Sequence, residues 1–138
     1  MKIINKTGLT LDQWNDRFPN FPMIEVACPC CGVVKINLIF MDKLQSARTD
    51  SEIPFSLSSA CRCRKHNASK GVGGKEDSRH IFDDERDTDA VDVRTPNSVT
   101  RGKVLYYLNK AGITYTGINK AIKFVHGDGR KMILNYLY

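Results

Sequence analysis

Three histidines, five cysteines and one acidic run hold most of the chemistry open to this 138-residue chain. His80 precedes the run Asp83-Asp84-Glu85-Arg86-Asp87-Thr88-Asp89, His126 falls near the end of an apolar segment, and His66 lies in a polar stretch. A hydrolytic zinc site takes three protein ligands and keeps a fourth position for water. Two aspartates have the spacing to join His80. Asp87 lies seven residues on, and Asp92 twelve on, within Ala90-Val91-Asp92-Val93. Asp92 is the preferred ligand, because a strand flanked by apolar residues fixes the direction of a carboxylate, whereas Asp87 belongs to a solvated run and stands as the alternative. A proton shuttle is also needed. Asp128, two residues past His126 and on its face if the strand continues, is the nearest base, the rival reading being a turn residue in Gly127-Asp128-Gly129.

The cysteines form two clusters, Cys28, Cys30 and Cys31 in one and Cys61 and Cys63 in the other. An odd count in a chain that opens Met1-Lys2-Ile3-Ile4-Asn5-Lys6, without the apolar stretch of a secretory signal, argues against a pure disulfide framework. Cys28 and Cys31 have the C-x-x-C spacing of a zinc knuckle, and Cys61 and Cys63 would complete four thiolates around a second, structural zinc. A disulfide from Cys28 or Cys31 to Cys63, or free buried thiols, are the alternatives.

These residues need a frame. Asn37 to Ala47 reads as an amphipathic helix, with Leu38, Met41, Leu44 and Gln45 at helical spacing. Ile53 to Ser58 reads as a short edge strand marked by Pro54, and Ala90 to Arg94 as a strand burying one face. Asn97 or Ser98 can cap a helix through about Ala111, stopped by Gly112. Ile113 to Tyr115, Ile122 to His126 and Met132 to Tyr138 read as two or three antiparallel strands. The expected fold is a single α+β domain over residues 1–138, a small antiparallel sheet with flanking helices. Its anomaly is the polar span from Ser59 to Asp89, where Gly71, Gly73 and Gly74 argue against a regular element. A loop that long in a compact domain needs something to hold it, and a bound metal would do so.

The charge is uneven. Residues 98–138 carry seven Lys/Arg against Asp128 alone, while residues 76–92 carry eight acids against Arg79 and Arg86. A basic face suits an anionic partner, yet no arginine-rich helix or aromatic stacking motif points to nucleic acid. No apolar run approaches the roughly 18 residues that span a bilayer. The expectation is a monomer that neither binds nucleic acid nor inserts into a membrane, made in the cytosol.

Taken in order, Ser59-Ala60-Cys61-Arg62-Cys63-Arg64-Lys65-His66-Asn67, Gly73-Gly74, Ser78-Arg79-His80, Ala90-Val91-Asp92-Val93 and Phe124-Val125-His126-Gly127-Asp128 resemble the zinc D-Ala-D-Ala carboxypeptidases of peptidase family M15. The likeness runs over about residues 24 to 128 and is strongest to small phage and prophage members, whose opening the Cys28-Pro29-Cys30-Cys31-Gly32 stretch also resembles. It implies the hedgehog-like zinc peptidase fold with a long metal-binding loop. It also implies a Zn2+ metallopeptidase cutting the stem peptides of bacterial peptidoglycan, at D-Ala-D-Ala or L-Ala-D-Glu bonds. The implied setting is phage lysis after release from the cell, or the virion. On the same resemblance His80, Asp92 and His126 hold the metal, Arg62 receives the substrate carboxylate, and Ser78 steadies substrate or ligand. The chain departs from the pattern twice. His80 to Asp92 is five residues longer than the usual spacing, with Thr88 in place of a glycine, and Lys123 and Phe124 stand where members carry an acid or histidine base.

Overall fold

The computed structural model describes residues 1–138. Its elements are β1 (Ile4–Asn5), α1 (Leu11–Arg17), α2 (Met23–Val26), β2 (Val33–Val34), α3 (Leu38–Ser51), β3 (Leu57–Ser59), α4 (Arg64–Asn67), β4 (Ala90–Arg94), α5 (Ser98–Lys110), β5 (Tyr115–Asn119), β6 (Phe124–Asp128) and β7 (Leu134–Leu137). β1 and β2 form a small parallel pair, and the other five strands form one sheet in the order β3-β4-β6-β5-β7. The α+β class expected from sequence is the observed one.

Each helix has a local cause. Thr10 and Gln13 form a reciprocal capping box at the start of α1, and Pro19 and Pro22 keep that helix short. Asn37 caps α3 by accepting from the Phe40 amide at 2.9 Å, and Asn97 caps α5 through the Thr100 amide at 2.8 Å. Asn37→Ala should cost about 1 kcal/mol, the usual worth of such a cap, read as a lower denaturation midpoint. α3 and α5 pack against each other and cover one face of the sheet, where Val91, Val93, Val125 and Gly127 meet Leu108 and Ile113. Trp14, Phe18 and Phe21 are fully buried in the same cluster, with the indole N–H donating to the Phe21 carbonyl at 2.8 Å. The scattered aromatics of the N-terminal segment are therefore core.

Two expectations need correction. The sheet is mixed rather than antiparallel, because β7 runs parallel to β5. β6 already has β4 on one edge and β5 on the other, and the chain leaving Asp128 reverses past β5 to join its free edge. The span from Ser59 to Asp89 does contain a regular element, α4, capped when the Cys63 thiol accepts from the His66 amide.

The opposite face of the sheet carries a cross-strand row that reaches all five strands. Ser59, Asp92, His126, Gly117 and Tyr136 are register partners across β3, β4, β6, β5 and β7 in turn. Residues directly opposite in neighbouring strands share a face. That row positions the site.

Candidate metal centre

Asp92 and His126 meet because β4 and β6 pair in that register, and His80 reaches them from the loop. The loop is tied down at many points. Arg62 and Ile81 form a β-bridge, with the Arg62 amide donating to the His80 carbonyl at 2.9 Å, and the Thr88 hydroxyl donates to the same carbonyl at 2.7 Å. Arg79 makes a bidentate pair with Asp89 at 2.9 and 2.6 Å. The acidic run is thus an insertion anchored by protein contacts.

His80, Asp92 and His126 are buried, 2%, 5% and 6% exposed, and one ligand atom from each lies within 4.8 Å of the others. Asp92 Oδ1 stands 3.2 Å from His80 Nε2 and 3.0 Å from His126 Nδ1. The outer ring nitrogens fix what those inner atoms are. His80 Nδ1 donates to the Ala60 carbonyl at 2.7 Å, and His126 Nε2 donates to Asp128 Oδ2 at 2.8 Å. A neutral imidazole that donates from one nitrogen presents a lone pair at the other. Two lone pairs and a carboxylate oxygen therefore converge on one point, an arrangement that repels itself until a cation or an extra proton enters. The electrostatics say the same. Burial opposes charge on Asp92, but His80 and His126 outweigh it and hold its carboxyl well below the usual range. Burial also pulls His80 down, while on His126 the bonds to Asp128 and Asp92 overcome burial and push it up. Two histidines and a carboxylate, each oriented from behind, fit a zinc ion by donor type and number.

The other sequence candidates fall around this point. Arg62, mostly buried, donates to Ser59 Oγ at 2.9 Å, Asn67 Oδ1 at 3.3 Å and Asp92 Oδ2 at 3.4 Å, and lines the cavity over the cluster. Ser78 lines the same cavity, and its hydroxyl accepts from the His80 amide at 3.2 Å, so it steadies the turn that carries that ring. Asp87 stays outside the cluster, paired with Lys35 at 3.0 Å on the wall of a neighbouring polar cavity. Asp128, the base candidate, lies behind the His126 ring rather than on the cavity wall. It is fully buried on the far side of the His126 ring, and Arg130 clasps it through its amide at 3.0 Å and its guanidinium at 2.9 to 3.3 Å. Both oxygens are thereby hydrogen-bonded, to Arg130 and to the His126 ring. Cys61 also leaves the expected four-cysteine set, its buried thiol facing the Lys35 carbonyl at 3.6 Å.

A family model described as Peptidase M15 matches residues 19–128. The chain belongs to peptidase family M15. No curated protein matches it. As in the resemblance read from the motifs, this M15 chain brings the late histidine and the aspartate of Ala90-Val91-Asp92-Val93 together. Its five-residue insertion is absorbed in the loop between His80 and β4.

Some residues of this M15 site escaped the sequence reading. Tyr136 leans over Gly117, where any Cβ would strike its ring, and its ring centroid comes within 6.4 Å of that of His126. The alternation Tyr136-Leu137-Tyr138 on a terminal strand was the available signal, since period two puts both tyrosines on one face. Asn67 is the second. Its amide fills the space left by the missing side chain of Gly74, donates to the Lys75 carbonyl at 2.8 Å, and presents its oxygen to Arg62.

Proposed function

We propose that this M15 peptidase uses zinc to cleave the stem peptides of bacterial peptidoglycan, as a D-Ala-D-Ala carboxypeptidase or an L-Ala-D-Glu endopeptidase. The observation that carries the reading is the convergence of His80 Nε2, Asp92 Oδ1 and His126 Nδ1, three atoms of metal-ligating type whose rings are held from behind by the Ala60 carbonyl and Asp128. Zinc bound there would supply a coordinated water of near-neutral pKa and polarise a scissile carbonyl. The chain's own residues do the rest. Arg62, fixed by Ser59 and Asn67, offers its remaining N–H groups to a substrate carboxylate in a cavity of about 680 Å3. Tyr136 and Tyr138 form an aromatic wall beside His126. Ser78 and the Ala60 carbonyl orient His80, and Asp128 orients His126. In this reading the chain is one domain over residues 1–138, acts as a monomer, and serves phage lysis or the virion. Its basic residues 98–138 favour the anionic wall. No helix is long and apolar enough to cross a membrane.

Digestion of purified peptidoglycan tests the proposal and names the bond. Free D-alanine marks the carboxypeptidase, and a new glutamate amino terminus marks the endopeptidase. Intact muropeptides after prolonged digestion with zinc-loaded protein would remove the enzymatic reading. One observation favours a second reading, a zinc-containing module that binds cell-wall peptide or serves in a phage particle with weak turnover. The commitment of Asp128 to Arg130 and His126 leaves Asp77, exposed on the cavity wall, as the other carboxylate beside Asp92. Binding of stem peptide without product in the same digestion would select it.

Arg62→Lys should raise KM for stem peptides with a smaller change in kcat, because an ammonium cannot reproduce the planar fork that Ser59, Asn67 and Asp92 hold in place. Steady-state kinetics on a defined peptide reads the split, and an unchanged KM would take Arg62 out of substrate binding.

A further inference from the structure

Away from the cavity, the turn after α2 brings three sulfurs toward the start of α4. The Sγ atoms of Cys28, Cys30 and Cys63 lie within 4.8 Å of one another, although Cys63 is 33 residues from Cys30. Cys30 Sγ and Cys63 Sγ are 3.7 Å apart. A disulfide holds its sulfurs at about 2.05 Å. Four thiolates at about 2.3 Å from a tetrahedral metal stand about 1.63 times that leg apart, or about 3.8 Å. The Cys30–Cys63 separation is too long for a disulfide and equals that expected between two thiolates on one ion.

Backbone amides aim at these sulfurs. The Cys63 amide donates to Cys28 Sγ at 3.4 Å and the His66 amide to Cys63 Sγ at 3.3 Å. Cys31 directly follows Cys30 in the same turn. Cys61 lies apart from the group, its buried thiol facing the Lys35 carbonyl at 3.6 Å.

We propose that Cys28, Cys30, Cys31 and Cys63 bind a second zinc ion as thiolates, a structural site distinct from the histidine-aspartate centre. Cys63 directly follows Arg62, so the ion ties the turn from Cys28 to Gly32 to the residue that aims its guanidinium into the cavity. Ligand binding by the four sulfurs stands independently of the peptidase reading; the consequence for Arg62 rests on it.

Cobalt(II), a spectroscopic stand-in for zinc, tests the site with the full chain kept reduced. Wild type should take up two equivalents and show a thiolate-to-cobalt charge-transfer band. His80→Ala/His126→Ala should keep one equivalent and the full band, whereas Cys30→Ser and Cys63→Ser should each lose the band and keep the other equivalent. If the cysteine variants do not fold, titration of zinc-loaded wild type with a thiol-specific mercurial replaces them, and one zinc should leave in step with thiol modification. A wild-type protein without the band, or without zinc release on thiol modification, overturns the proposal. A wild-type protein that takes up one equivalent and shows the full band would support the cysteine site and count against the histidine-aspartate centre, so the two readings fail separately.

Discussion

His126→Ala is expected to abolish peptide cleavage and to release one metal ion per chain. In the proposed centre the ring is one of three protein ligands, and nothing else on β6 can replace it, because Gly127 faces the helices and Asp128 is bound to Arg130. Asp92→Asn should do the same, since an amide oxygen carries no charge to balance a dication. Asp87→Asn is the control. Asp87 is half exposed and paired with Lys35, an ion pair worth below about 1 kcal/mol, so metal content and rate should stay at the wild-type level. A chelator should bring wild type to the state of the His126 variant, with activity restored on adding zinc. Metal analysis beside the digestion assay decides the matter. Cleavage that survives in metal-free His126→Ala would sink the proposed centre, and metal loss in Asp87→Asn would move the carboxylate ligand.

Asp128→Asn is expected to weaken metal affinity about 10- to 100-fold, the usual cost of disturbing a group that orients a ligating histidine. The carboxylate fixes the His126 tautomer by accepting from Nε2, and it balances Arg130, whose guanidinium also stacks 3.9 Å from the Tyr115 ring centroid. An asparagine keeps the shape and loses the charge. Because the defect lies in holding metal, excess zinc should restore the rate. A general base lost at this position would behave in the opposite way, with metal retained and a low kcat that zinc does not rescue. The two outcomes separate the roles without relying on activity alone.

Some of this was legible in the sequence and some was not. The strand Ala90–Arg94 was read at its observed bounds, because its alternation is local and its apolar residues are core. α5 was placed to within a residue, as Asn97 and Gly112 mark its ends. α3 runs on to Ser51, past the point where the apolar pattern weakens, because its last turn packs Ala47 and Ser51 inward. The two-residue strands β1 and β2 carry no period to read, and the parallel placement of β7 depends on which sheet edge is free, a fact of topology. At the site, order and spacing pointed to His80, Asp92 and His126, but not to Arg130 as the partner of Asp128. The cysteines misled for a definable reason. Residues two apart share a side only while the chain stays extended, and at Cys63 it turns into α4, so Cys61 and Cys63 face different neighbours.

The row that joins Ser59, Asp92, His126, Gly117 and Tyr136 would let metal capture at the proposed centre read out strand pairing. A slip of one residue between β4 and β6 would turn Val91 and Val93 out of the core and swing Asp92 into it. A slip of two would keep the apolar face and still part Asp92 from His126. If the proposed centre binds metal, uptake therefore reports a register that burial alone does not select.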